Sequence, residues 1–165
     1  MKHYISALVE NKAGVLARIS GLFARRGFNI DSLAVGETND HAVSRVTIVV
    51  DGDDYIADQV TKQLSKLIDV KTVKQLAPDF MVQRELVLIK VKIDADQRGE
   101  IFDLVKIMNC EIVDISHTTL MIEFDDRTQK VELLIDLLSK YEIIEIVRTG
   151  VIALEKGDGT VYDED

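Results

Sequence analysis

Asn11 and Gly14 lie between an apolar run, Tyr4 to Val9, and a stripe made by Val15, Leu16, Ile19, Leu22 and Phe23. The run reads as a strand. The stripe, spaced i, i+1, i+4, i+7 and i+8, reads as one face of an amphipathic helix. A helix that starts after a short loop presents backbone N–H groups with no acceptor inside the helix. Those donors, with the positive end of the helix dipole, suit a carboxylate or a phosphate. Gly14 lets a ligand approach the backbone closely, so that the Val15 and Leu16 N–H groups can take its carboxylate. Asn11 and Asn29 carry donors and acceptors for an amino group. The same residue types are also ordinary turn chemistry, since Asn and Gly suit a strand-to-helix loop and Asn29 follows a helix end.

Other chemistry is poorly provided for. His3, His41 and His117 are far apart, each beside or within a strand, without ligand spacing. Asp51, Asp53 and Asp54 surround Gly52 but lack the downstream Glu of a calcium loop, and read as a turn with a helix cap. Cys110 follows an apolar helix pattern and reads as a buried small side chain. No nucleotide-binding glycine loop, nucleophile elbow or His-Glu-x-x-His occurs. These residues predict neither a catalytic centre nor a metal site.

The 165 residues suit one medium domain or two small ones, and 47% of them are hydrophobic, enough to bury a core. No apolar run reaches membrane-spanning length and residues 1–20 lack the regions of a secretory signal, so neither membrane nor secretion is expected. A single cysteine suits a reducing compartment such as the cytoplasm. The net charge of −9 is unevenly spread: residues 1–77 carry ten Lys and Arg against nine Asp and Glu, and residues 78–165 carry ten against twenty. The acidic second half argues against nucleic acid.

The elements that must position Asn11, Gly14 and Asn29 follow from periodicity. Strand Tyr4–Val9 leads into helix Val15–Arg26, with Gly27 placed to end it. Strands Asn29–Val35 and Val43–Val50 flank a turn cluster, Gly36 to His41. Ile56, Val60, Leu64 and Leu67 mark a second helix, and Val70–Leu76 a fourth strand. Pro78 then interrupts the pattern. The order returns as strand Glu85–Ile93, a helix on Ile101, Leu104, Val105 and Met108, strands Glu111–Ser116 and Thr119–Phe124, a helix on Val131, Leu134, Ile135 and Leu138, and a long closing strand Ile143–Leu154.

Two βαββαβ units predict an α+β protein of two tandem ferredoxin-like domains, each an antiparallel sheet with its helices on one face. The expected divisions are 1–77, 78–158 and a solvated acidic tail, 159–165. An RNA-recognition domain shares this order but stacks bases on strand aromatics, which the segment Val43–Val50 lacks. One sheet face would be bare, with side chains such as Leu8 and Val49 too apolar for water. With the free strand edges this predicts a homodimer.

Asn11-Lys-Ala-Gly-Val-Leu-Ala-Arg18, Gly21-Leu-Phe-Ala-Arg-Arg-Gly-Phe-Asn-Ile-Asp-Ser-Leu33, Ser44-Arg-Val-Thr-Ile48 and Gln63-Leu-Ser-Lys-Leu-Ile-Asp-Val70 resemble the ACT domain of acetolactate synthase (acetohydroxyacid synthase) small subunits. Arg84-Glu-Leu86 and Gly150-Val-Ile-Ala-Leu154 extend the resemblance over nearly the whole chain. It implies a chain without catalytic activity, partnered by a large subunit that uses thiamine diphosphate, FAD and Mg²⁺ to condense pyruvate with pyruvate or 2-oxobutyrate. It implies stimulation of that subunit and feedback inhibition by valine. One methylene changes binding in a small apolar pocket by only about 1–3 kcal/mol, so leucine or isoleucine are expected as further ligands, unranked by the sequence. It further implies an effector site between two ACT domains, with Asn11, Gly14, Val15 and Leu16 from one protomer and Asn29 and Ile30 from the other. An amino-acid sensor acting on a different enzyme, or on transcription, fits the same features, and a free-standing enzyme fits them least.

Overall fold

The computed structural model describes residues 1–162, so the last three positions of the acidic tail, 163–165, lie outside the described residues. The chain runs β1 (Lys2–Glu10), α1 (Val15–Arg26), β2 (Ser32–Glu37), β3 (Val43–Asp51), α2 (Asp54–Leu64) and β4 (Val70–Leu76). A 3-10 turn follows at Pro78–Phe80, then β5 (Met81–Lys92), α3 (Arg98–Met108), β6 (Glu111–Ile115), β7 (Thr119–Asp126), α4 (Thr128–Leu138), β8 (Ile143–Arg148) and β9 (Ile152–Glu155). The first sheet has the order β2-β3-β1-β4 and the second β6-β7-β5-β8, each antiparallel within that path, and β9 also pairs with β5. This is the α+β arrangement of two ferredoxin-like βαββαβ units.

Alternation along β1 and β3 sorts the first sheet into two faces. Ile5 pairs with Ile48 and Ala7 with Val46, and these pack under Val15, Ile19, Leu22 and Phe23 of α1 and Val60 and Leu64 of α2. Gly27, at φ 69, ends α1, where a left-handed residue is best a glycine. Asp53 caps α2 by accepting from Ile56 N–H at 2.9 Å.

The opposite face is where the structure departs from the expected arrangement. It is not bare. Val151 and Ala153 pack with Tyr4, Val49, Leu76 and Met81, and Val161 packs with Leu8 and Val43. Polar contacts hold this covering segment: Arg45 Nη2 donates to Ala153 O at 3.2 Å, Thr72 Oγ1 to Val161 O at 3.1 Å and Lys74 Nζ to Thr160 O at 3.1 Å. Lys74 also pairs with Glu155 at 3.0 Å. Exposed apolar side chains on this face are therefore no longer a reason for two copies to pair.

Three boundaries shift with it. The expected strand Ile143–Leu154 is two strands, because Gly150, at φ 82, turns the chain between β8 and β9. The compact units are Met1–Val82 with the segment from Val151 on, and Gln83–Gly150, rather than 1–77 and 78–158. Met81 and Val151 are buried among first-unit side chains, and that burial sets the division. Of the tail expected to be solvated, Val161 is buried. Strand two begins at Ser32 rather than Asn29; the Asn29 side chain instead donates to Asp31 Oδ1 at 3.0 Å.

In the second unit Val87, Ile89 and Val91 of β5 and Leu120, Ile122 and Phe124 of β7 meet Ile101 and Val105 of α3 and Val131, Leu134 and Leu138 of α4. Buried Glu85 accepts from Arg148 Nε at 2.5 Å and Nη2 at 3.0 Å, while Arg148 Nη1 reaches Glu132 at 2.8 Å. The bond to Glu85 holds the Arg148 guanidinium well above its ordinary pKa. Arg148→Met leaves the Glu85 carboxylate buried without its cation. The expected cost is about 3 kcal/mol, the low end for a broken buried pair because Arg148 is partly in water, measured by urea unfolding. Adding Glu85→Leu should recover most of it.

Candidate functional site

The loop between β1 and α1 is fixed at both ends. Asn11 N–H donates to Ala42 O at 2.8 Å, and Arg18 N–H makes the first helical bond, to Gly14 O, at 3.0 Å. Gly14 is the residue before the helix, with φ 88 and no side-chain cap, and no acidic residue lies in the first turn. A β-carbon at Gly14 would have Arg18 Nη1 at 3.9 Å, ordinary contact, so the requirement for glycine is the positive φ and not crowding. The start of α1 is thus an uncapped set of donors at the positive end of a 12-residue helix.

Val15 N–H already leans on Lys12 O at 3.4 Å. Leu16 N–H is therefore the better placed of the two expected donors. Ala17 N–H, next in the first turn, joins it by helix geometry.

Beside this turn lies a cavity of about 110 Å³ between α1 and the sheet. Buried Val9, Val15, Ile19, Ser44 and Val46 line it together with the exposed Leu16 and Val35, and Glu10, Asn11 and Lys12 are its charged and polar edge. An enclosed apolar cavity of about 150 Å³ accommodates benzene, so this smaller, open one suits an aliphatic group of a few carbons. Asn11 Nδ2 donates to Glu37 Oε1 at 3.0 Å and to His41 O at 2.9 Å. With both amide hydrogens committed, what Asn11 has left to offer is its oxygen, an acceptor suited to an ammonium. Two cations flank the turn, each held by a carboxylate. Lys12 pairs with Glu10, whose hydrogen bond raises the Lys12 pKa, and Arg18 Nε donates to buried Asp69 at 2.6 Å.

Of the residues singled out from sequence, Asn11, Val15 and Leu16 line the cavity and Gly14 sets the helix start beside it. Asn29 and Ile30 do not line it: Asn29 is exposed, and Ile30 packs against the first unit's core. Val9, Ile19 and Val46 read only as core from periodicity. Val35 enters because it pairs with Val46, a register visible only once β2 lies against β3.

The remaining candidates are accounted for locally. His3 is buried and contacts Gly52 O and Gln75 Nε2, and His41 pairs with Glu37. Burial pushes the Cys110 thiol up to about 11, which leaves little thiolate at neutral pH. Among the described residues no group of three or more His, Cys, Asp or Glu is placed to hold a metal, and no helix is long and apolar enough to cross a membrane.

The family described as AHAS small subunit-like ACT domain matches residues 5–72, and the one described as small subunit of acetolactate synthase matches residues 84–157. A protein of Archaeoglobus fulgidus named "Probable acetolactate synthase small subunit" is 49% identical over 96% of this chain and 99% of its own length. The chain belongs to the acetolactate synthase small-subunit family. A further member, the acetolactate synthase small subunit of Mycolicibacterium smegmatis, is 48% identical over 94% of this chain and 91% of its own. The crystal structure of the acetolactate synthase small subunit from Thermotoga maritima has a TM-score of 0.89 and 42% identity, covering 96% of this chain and 99% of that one. In this member the ACT domain holds the uncapped helix start and the cavity beside it.

Asn11→Ala removes the two bonds that tie the β1–α1 loop to Glu37 and His41. Hydrogen exchange over residues 10–14 should accelerate, while global stability falls by less than about 1 kcal/mol because both bonds are exposed. Exchange mass spectrometry and urea unfolding measure the two effects.

Proposed function

We propose that this chain is the non-catalytic regulatory subunit of acetolactate synthase, stimulating the catalytic large subunit and conferring feedback inhibition by valine in branched-chain amino acid biosynthesis. Thiamine diphosphate, FAD and Mg²⁺ belong to the large subunit, and the pair works in the cytoplasm. The observation that carries the reading is the uncapped first turn of α1 opening beside a small apolar cavity. Valine supplies one group for each part. Its carboxylate goes to the Leu16 and Ala17 N–H groups, with Val15 behind them, its ammonium to the Asn11 oxygen, and its isopropyl group into the space above Val46 and Ile19. Leucine and isoleucine are one methylene larger, a difference worth only about 1–3 kcal/mol in such a pocket, so they are ligands of the same site.

The site is completed by a second copy. β2 is an edge strand, and Val35 on it is exposed at the mouth of the cavity. Asn29 and Ile30 precede this edge and lie outside their own chain's cavity, with Asn29 exposed and Ile30 half-buried. A homodimer through the ACT domains brings them to a neighbour's cavity. Valine then favours the correctly paired dimer, by no more than its difference in affinity between the pairings, and the large subunit senses that pairing.

Gly14→Asp puts a carboxylate where the ligand's must sit, and aspartate tolerates positive φ better than most residues. In the reconstituted enzyme, valine inhibition should be lost while stimulation survives. Gly14→Asn, isosteric and uncharged, should keep more of the inhibition. A Gly14→Asp enzyme with unchanged valine sensitivity would exclude this pocket. Asn29→Ala should weaken valine binding, read by calorimetry, by about 1–3 kcal/mol through the unpaired group it leaves.

A further inference from the structure

β2 has two sides with two duties. Val35, paired with Val46, faces the cavity. Ser32, paired with Val49, faces the opposite side, where the covering segment lies. There Val151 N–H donates to Ser32 Oγ at 2.8 Å. Val151 is itself buried against Val49, and the bond is partly buried. One residue earlier stands Gly150, at φ 82, where the second unit ends. One residue before that, Thr149 is pinned to β5: its N–H donates to Leu86 O at 3.1 Å, and its Oγ1 accepts from Leu86 N–H at 3.1 Å. Gly150 alone separates a residue bonded to β2 from a residue bonded to the second unit's central strand.

We propose that the Ser32 Oγ–Val151 N–H bond is the contact through which occupancy of the effector cavity is passed to the second unit. This inference rests on the function proposed above. Among the described residues β2 is hydrogen-bonded to one strand only, β3, and it is the shorter of the sheet's two edges. It is therefore the strand most easily displaced. A ligand against Val35 of one copy, or against Asn29 and Ile30 of its neighbour, acts on β2 in either case. A shift of β2 moves Ser32, Ser32 carries Val151, and through Gly150 the displacement reaches Thr149 and Leu86. Ser32 is a positioning residue here and does not touch the ligand.

The test uses the full chain and its holoenzyme, with Ser32→Ala and Ser32→Thr. Valine affinity is read by calorimetry, inhibition by the reconstituted enzyme, and exchange of the Val151 amide by mass spectrometry. In the wild-type chain, valine should change the Val151 exchange rate. Ser32→Ala should bind valine as the wild type does, yet lose most of the maximal inhibition reached at saturating valine, because the site fills but its occupancy is not passed on. Its Val151 amide should exchange alike with and without valine. Ser32→Thr, which keeps the hydroxyl, should behave as wild type. Normal inhibition in Ser32→Ala overturns this inference alone. Loss of valine binding in Ser32→Ala also overturns it, by making Ser32 part of the pocket's framework, as does failure of Ser32→Thr to restore the response. Failure of the wild-type chain to bind valine overturns the proposed function and this inference together.

Discussion

A four-stranded sheet with both helices on one side has a second face to hide from water, and the hydrophobic cost of that face governs this molecule. β1 is buried from His3 to Val9, on both faces. The helices cover one side of it. The other side is covered by the segment that follows β8, where Val151, Ala153 and Val161 supply the apolar contact. Because the chain closes this face itself, the outer face is not where a neighbour must attach. The sheet keeps two edges, β2 and β4, and β2 lies beside the cavity.

The closure also decides what a domain is in this protein. The second βαββαβ unit is an insertion in the first, entered along β5 and left through Gly150, and the covering segment returns afterwards. β5 carries Met81 into one core and Val87, Ile89 and Val91 into the other. The covalent path between the units is thus doubled, and neither strand of it is a loose linker.

The cavity beside α1 is built from ordinary parts. Its donors are ordinary amides at a helix start. Their availability depends on one glycine with positive φ and on the absence of an acidic side chain that would cap them. Its buried lining is ordinary core, trimmed to about 110 Å³. Asn11 has both amide hydrogens taken up by Glu37 and His41, which leaves its oxygen as the acceptor it can still offer. Lys12 and Arg18, which could have bound an anion directly, are instead neutralised by Glu10 and Asp69.

Local patterning alone determined much of this. The boundaries of α1, the glycine that ends it, the two βαββαβ units and the residues at the β1–α1 turn are all encoded within a few positions of where they act, by periodicity and cap chemistry. Residues such as Asn11 and Gly14 are legible for that reason. Tertiary structure decided what depends on contacts distant in sequence. Val35 meets Val46 only through strand register, and Val9, Ile19 and Val46 line a cavity only where α1 stops short of filling the space beside them. Above all, a short apolar pattern near residue 152 says that a strand is present, but not which sheet it serves. That was settled by the left-handed turn at Gly150 and by the unfilled apolar face more than a hundred positions earlier, around Tyr4, Leu8 and Val49.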